Sequence, residues 1–163
     1  MKLLTHYIFT TGFLTLLSTP YLGFYVSLLL SSVISSLSNT LIDRLGHEVR
    51  GGFVRRTPTT HTLPRSVIWG LLPSLPLFYF FHVLPILLLG VLSGPSHMLL
   101  DIFTERGIYV KRGGRWRRFA LAHFSYDNPV INGTAILAGA LLLYLALSFS
   151  NHQANFTWPS KFP

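Results

Sequence analysis

Cysteine is absent from this chain. That excludes a disulfide framework, thiolate zinc sites and a cysteine nucleophile, and leaves the redox compartment open. Charge is nearly as scarce. Only 11% of the 163 residues are charged, against about 25% in an average soluble domain. Acid is the scarcest of all: Asp43, Glu48, Asp101, Glu105 and Asp127 are the only five carboxylates, and the seven histidines outnumber them. No internal repeat or low-complexity tract is present, so repeat arrays are excluded too.

What is present is apolar and basic. Half of the residues are hydrophobic, and 13 Lys and Arg give a formal charge of +8. Mean hydropathy is +0.47. Together these describe an integral membrane protein with cationic loops, neither a soluble domain nor a disordered chain.

The apolar runs predict an all-α fold, a polytopic bundle of about five membrane helices in one domain spanning residues 1–163. Residues 7–38 carry no charge. A helix crossing a bilayer needs about 20 apolar residues, and helices tend to stop just before proline. Pro20 therefore divides the run into helices of about 3–18 and 21–42; a single long tilted helix is the alternative. Prolines at 73, 76 and 85 shape the next stretch into a hairpin of about 66–81 and 84–103. The last span is about 130–149, followed by a loosely ordered polar tail. Lys2 and the apolar run after it have the outline of a signal peptide. No small-x-small cleavage site follows, and the run is too long for one, so it reads as the first helix.

Two basic loops remain, about 43–65 and 104–129. They flank an even number of crossings and share a side, which the positive-inside rule makes cytoplasmic. The tail then lies outside the cell membrane. Asn155-Phe156-Thr157 has the form of a glycosylation acceptor there.

In so apolar a chain each ionisable group calls for a reason, at about 2.5–3.5 kcal/mol per charged residue in a membrane helix. His97 and Asp101 lie four apart, on one helix face. They suit a metal, a simple hydrogen-bonded pair, or Asp101 paired with a nearby Arg. Asp43 and His47 repeat the spacing in reverse order, and alone they read as a helix end. His6 and His61 are unremarkable singly. In the two-helix reading, however, all six fall at one membrane depth, contributed by four segments. That is the donor set of a multinuclear hydrolytic site. Glu105, four residues past Asp101, is a candidate for proton transfer, or a helix-end partner of Arg106. Arg55 and Arg56 precede His61 and suit a phosphate. The cluster at 111–118 reads as an anchor to anionic lipid headgroups, with Trp116 at the interface; nucleic-acid binding there is the less specific reading. His123 with Asp127 reads as structural, His82 as snorkelling or facing the bundle, and His152 as solvated tail.

Thr60-His61-Thr62, Ser96-His97-Met98-Leu99-Leu100-Asp101 and the following Thr104-x-x-Gly107-Ile108 resemble elements of the YdjM-like membrane-bound metal-dependent hydrolases. His6 is similar to that family's early histidine. Leu41-Ile42-Asp43-Arg44-Leu45-Gly46-His47 resembles an archaeal branch of such proteins. The likeness covers about residues 3–108 and extends less firmly to Tyr126-Asp127-Asn128-Pro129. It departs in two places: Asp43-x-x-x-His47 stands where the family has D-x-D-H, and no histidine lies four residues before His61. The resemblance implies a helical membrane protein with a His/Asp metal site, grouped by similarity with zinc-dependent phosphodiesterases.

The resulting expectation is a membrane-bound hydrolase. His6, Asp43, His47, His61, His97 and Asp101 would hold one to three divalent ions, with zinc first and manganese or iron as alternatives. A metal-activated water would act on a phosphoester, with membrane lipid the favoured substrate. Arg55 or Arg56 would neutralise the phosphate and Glu105 would carry the proton. Two other readings stand beside it. One is a non-catalytic membrane protein with a structural or transport metal site. The other is a membrane protein that binds lipid or nucleic acid through its basic loops. Apolar lower halves of the helices, with His82 the one obvious exception, argue against transport.

Overall fold

The first helix does not stop where its proline predicts. In a computed structural model describing residues 1–155, α1 runs Leu3–Leu22 with Pro20 in its last turn. A proline this near the end costs one N–H···O bond. The hydroxyls of Ser18 and Thr19 donate back to the carbonyls of Leu14 and Thr15, at 2.9 and 2.7 Å. The break comes instead at Gly23, whose φ of 72° only glycine adopts freely. α2 then runs Phe24–Gly46, four residues beyond the expected end.

The hairpin expected at 66–81 and 84–103 is three helices, α3 Leu63–Leu71, α4 Ser74–Phe81 and α5 Pro85–Asp101. Pro73 separates α3 from α4, and His82 ends α4 in a left-handed conformation, exposed, so it does not face the bundle. α6 covers Pro129–Asn155, so the helix continues through the start of the expected loose tail. Phe156 and Thr157 of the Asn155-Phe156-Thr157 triplet lie outside the described residues.

Neither basic loop is irregular. β1 (His47–Arg50) pairs antiparallel with β2 (Phe53–Arg56), and β3 (Ile108–Arg112) with β4 (Arg115–Phe119). Each turn is a Gly-Gly pair, with φ of 59° and 78° in the first and 57° and 76° in the second. Tight two-residue hairpins require positive φ at both central residues, which Gly-Gly supplies. The chain is therefore mostly helical rather than all-α. Expectation missed the hairpins because their arginine-rich strands carry no apolar alternation.

Two helices, α2 and α6, are long and apolar enough to cross a membrane by length and composition. The five expected spans are not five such helices. α1 is diluted by five threonines and His6, α5 has 17 residues, and 63–81 is broken.

The packing inverts the usual distribution of side chains. Thr10, Thr15, Ser18, Ser27, Ser31, Ser35, Ser38, Ser93 and Ser96 are buried, while Tyr25, Leu29, Tyr79, Phe80, Leu84, Val130 and Leu137 are more than half exposed. The inward face of α2 is a hydroxyl stripe at helical spacing. The lower halves of α1 and α2 are consequently polar on the inside, not uniformly apolar. Thr10 bonds Ser96 at 2.8 Å, Ser38 bonds Ser93, and Ser35 donates to the carbonyl of Tyr7 at 3.0 Å. Apolar packing fills in between, with Leu14, Leu30, Ile34, Ile86 and Leu89 in one cluster.

Glycine sets the closest helix contacts. α1 packs on α6, α2 and α5. A Cβ at Gly139 would meet the backbone of Ile8 and Phe9 at 2.8–2.9 Å, whereas one at Gly133, on the same helix, would meet nothing. Overpacking costs about 1–3 kcal/mol. Gly139→Ala should lower the thermal unfolding midpoint by roughly 3–10 °C, and Gly133→Ala should leave it unchanged or higher. Equal midpoints for the two variants would contradict this packing.

Candidate metal centre

Four segments converge where α1 begins and α2 and α5 end. His6 lies in the second turn of α1, Asp43 in the last turns of α2, and His47 where α2 becomes β1. His61 follows β2, and His97 and Asp101 occupy the last turns of α5. His6, His61, His97 and Asp101 are fully buried, while Asp43 and His47 keep 19% and 23% of their side-chain surface. The cluster is thus closed on the α1–α5 side and open along Asp43 and His47.

The contacts form one continuous set. The Nε2 of His6 lies 3.3 Å from Asp101 Oδ1, and that of His97 3.2 Å from Asp101 Oδ2. His97 and His61 lie 3.5 and 3.6 Å from Asp43 Oδ1, and His61 is 3.7 Å from Asp101 Oδ2. The rings of His6 and His97 stack at 3.8 Å. Two groups of three suit a cation each: His6, His97 and Asp101, and Asp43, His47 and His61. Within each, the donor atoms lie within 4.8 Å of one another.

Hydrogen bonds on the far side of the rings assign their tautomers. Asn39 donates its amide to Ser35, leaving Oδ1 to accept from His97 Nδ1 at 2.7 Å. Thr60 donates its hydroxyl to the Ile42 carbonyl at 2.8 Å, so its oxygen accepts from His61 Nδ1 at 2.9 Å. His47 Nδ1 lies 2.6 Å from the Asp43 carbonyl, which can only accept. In the neutral rings Nε2 then carries a lone pair. The Nε2 atoms of His6, His61 and His97 and Asp101 Oδ2 have no hydrogen-bond partner. Imidazole nitrogens facing carboxylate oxygens across 3.2–3.7 Å call for a proton or a metal cation between them. Burial pushes the His61 imidazole down to about 4, against the opposing pull of Asp43. It is a neutral donor at physiological pH, as metal ligation requires.

The surroundings hold this geometry. Arg56, nearly buried, donates to Asp101 Oδ1 at 2.7 Å and to the Gly107 carbonyl at 2.9 Å. The amino group of Met1 reaches the same carboxylate oxygen at 3.1 Å. Tyr109 of β3 donates its N–H to the His61 carbonyl at 2.7 Å and its hydroxyl to that of Arg56 at 2.9 Å. Any side chain at Gly46 would overlap Thr60 and the His61 ring.

All six expected metal-site residues come together, with Arg56 beside them. Glu105 does not join them. α5 ends at Asp101, and the turn after it leaves Glu105 exposed, its N–H donating to the Phe124 carbonyl at 2.9 Å. Arg55 alternates with Arg56 along β2 and is exposed. His123, Asp127 and His152 are also exposed. The hydrogen bond from Ser125 holds the Asp127 carboxyl below its usual range. Sequence reasoning missed Asn39 and Thr60. Asn39 carries a signal, a buried amide one helical turn before Asp43 in the series 39, 43, 47.

Outer partners of metal-bound histidines are worth about ten- to a hundredfold in affinity. Were the cluster to hold zinc, Asn39→Ala and Thr60→Val would each weaken its binding by that factor in a chelator competition. Parent-like affinity in both would show that these partners do not orient the rings.

No curated protein and no solved structure matches the chain. Residues 1–100 match the family described as "Protein of unknown function (DUF1286)". The matched segment includes five of the six cluster residues and stops one short of Asp101. By that match, which covers more than half of its length, the chain belongs to the DUF1286 family.

Proposed function

We propose that this is a membrane-bound, metal-dependent hydrolase acting on a phosphoester. One observation carries the reading: four imidazoles and two carboxylates converge in a largely buried cluster, with the Nε2 atoms of three rings and an oxygen of Asp101 unpartnered. Such a nitrogen and oxygen donor set fits zinc, and accepts manganese or iron. His6, His97 and Asp101 would hold one cation and Asp43, His47 and His61 a second. A divalent cation would supply Lewis acidity and a nucleophile at neutral pH.

The chain's own residues divide the remaining work. Asn39, Thr60 and the Asp43 carbonyl keep the ring Nδ1 atoms protonated and their Nε2 atoms available. Arg56 holds Asp101 and offers positive charge beside the site. The partly exposed edge at Asp43 and His47 leaves room for water and substrate, which a structural site closed by protein ligands would not. With Glu105 away from the cluster, no second carboxylate is assigned to proton transfer.

The membrane reading rests on the inverted packing. Large apolar side chains face outward and hydroxyls inward, as helices in lipid pack through small and polar residues. α1, α2, the broken α3–α4 pair, α5 and α6 would supply five crossings. Both hairpins would lie at the cytoplasmic face, where their arginines meet anionic headgroups, and the C-terminal tail would lie outside. Lipid phosphoesters are the substrates within reach of a site at this depth.

Two experiments test these claims. Protein purified in detergent without chelator should carry one or two equivalents of zinc, manganese or iron by mass spectrometry. A His97→Ala/Asp101→Ala variant should lose both the metal and any phosphoesterase activity found in the parent. Absence of metal from the parent, even after loading, would sink the hydrolase reading. For topology, a cysteine-free chain suits single-cysteine labelling. Arg115→Cys and His152→Cys should react with an impermeant maleimide from opposite sides of the membrane; labelling from one side would refute the odd number of crossings.

A further inference from the structure

The two hairpins enclose a cavity of about 400 Å³ lined by Val54, Arg55, Arg56, Arg106 and Arg118. Four arginines on three separate segments, β2, the turn after α5, and β4, therefore border one space. Like charges gathered around one space favour an anion among them. The five carboxylates of the chain do not provide it. Among the described residues no ion pair involves Arg55, Arg106 or Arg118, and the one made by Arg56 goes inward, to Asp101. Glu48 stands opposite Arg55 in the hairpin register without forming an ion pair.

The arginines are also held in place. Arg106 lies over the Tyr126 ring at 5.2 Å, and the Nε of Arg118 lies 3.4 Å from the Tyr109 hydroxyl. Arg56 is 6% exposed, and its Nε has no hydrogen-bond partner. Arg56 lines the cavity from its buried wall, with Arg55 and Arg118 exposed around it and Arg106 half-buried, which makes a basic site for an anion. A carboxylate would engage one fork. A tetrahedral phosphate offers three oxygens and about two charges, so it can accept from several guanidinium groups at once.

We infer that this cavity binds the terminal, dianionic phosphate of a phosphate monoester, with Arg106 and Arg118 as specificity residues. The inference rests on the hydrolase reading for its biological sense, because Arg56 bridges the cavity and Asp101 of the metal cluster. Binding itself needs no metal, since every donor is an arginine. The substrate class thus narrows from phosphoesters in general to those with a terminal phosphate.

The test is calorimetric titration of the full chain in detergent, before and after chelation, with inorganic phosphate and with short-chain phosphatidic acid. The variants are Arg106→Gln/Arg118→Gln and, as a control of equal charge loss outside the cavity, Arg115→Gln/Arg117→Gln. The cavity pair should weaken inorganic phosphate binding at least about tenfold, and the control should stay within about twofold of the parent for that same probe. Binding should survive chelation. Phosphatidic acid bound more tightly than inorganic phosphate would make the ligand a lipid, and equal affinity would make it a soluble phosphate ester. No phosphate binding by the parent, or equal losses in both double variants, would overturn the inference. A chelated protein that binds phosphate while the loaded one carries no metal would instead overturn the hydrolase reading and leave the anion site standing.

Discussion

An imidazole lone pair cannot rest against a carboxylate oxygen in a dry site without a positive charge between them. The structure is organised around that constraint. Asp101 and Asp43 are each approached by more than one ring, and Asp101 is fully buried. Arg56 neutralises one side of Asp101, and the unpartnered nitrogens mark where further positive charge is required. The surrounding elements are held accordingly. α1, α2 and α5 deliver the rings and carboxylates, and β3 fixes His61 and Arg56 by main-chain and hydroxyl contacts. Gly46 is as small as it must be for His61 to reach the cluster. Removing one member of such a set leaves uncompensated buried groups, which is why the cluster acts as a unit.

The rest of the bundle follows a second rule: its helices associate through close backbone contact and interior hydrogen bonds. α1 approaches α6 at Gly12 and Gly139, and α3 approaches α5 at Gly70 and Gly94. The hydroxyls of Ser18, Ser38, Thr10 and Ser96 bond to helix carbonyls or to one another, while those of Thr15, Ser27 and Ser31 are buried without a partner. The same inverted packing that supports residence in a lipid environment also keeps the floor of the cluster rigid. Asn39 and Ser35, which orient His97, belong to the hydroxyl stripe of α2.

The two hairpins connect this rigid floor to the outside. The first carries Arg56 inward and Arg55 outward on neighbouring residues of one strand, by the ordinary alternation of β structure. The second covers His61 and presents Arg118 to the same cavity. Arginines of the two hairpins thus border one cavity beside a His/Asp cluster that could hold a metal.

Much of the cluster was legible in the sequence, because burying His and Asp in apolar runs is costly and the i, i+4 spacings of 43 with 47 and 97 with 101 fix shared faces locally. Helical character was legible for the same local reason, and the absence of cysteine fixed which ligands were open to the site. Glu105 was misplaced because helix periodicity was carried past residue 101, where a bridge between Thr104 and Phe124 turns the chain away. The hairpins went unseen because Gly-Gly turns between arginine-rich strands carry no apolar period. Arg56, not Arg55, meets Asp101, and Asn39 and Thr60 orient the rings. Arg56 meets Asp101 across 45 residues and Asn39 meets His97 across 58, while Thr60 is set by its bond to Ile42, 18 residues away. Local sequence decides which residues can bear the chemistry; only the packed chain decides which lone pairs face one another and which arginine lies between them.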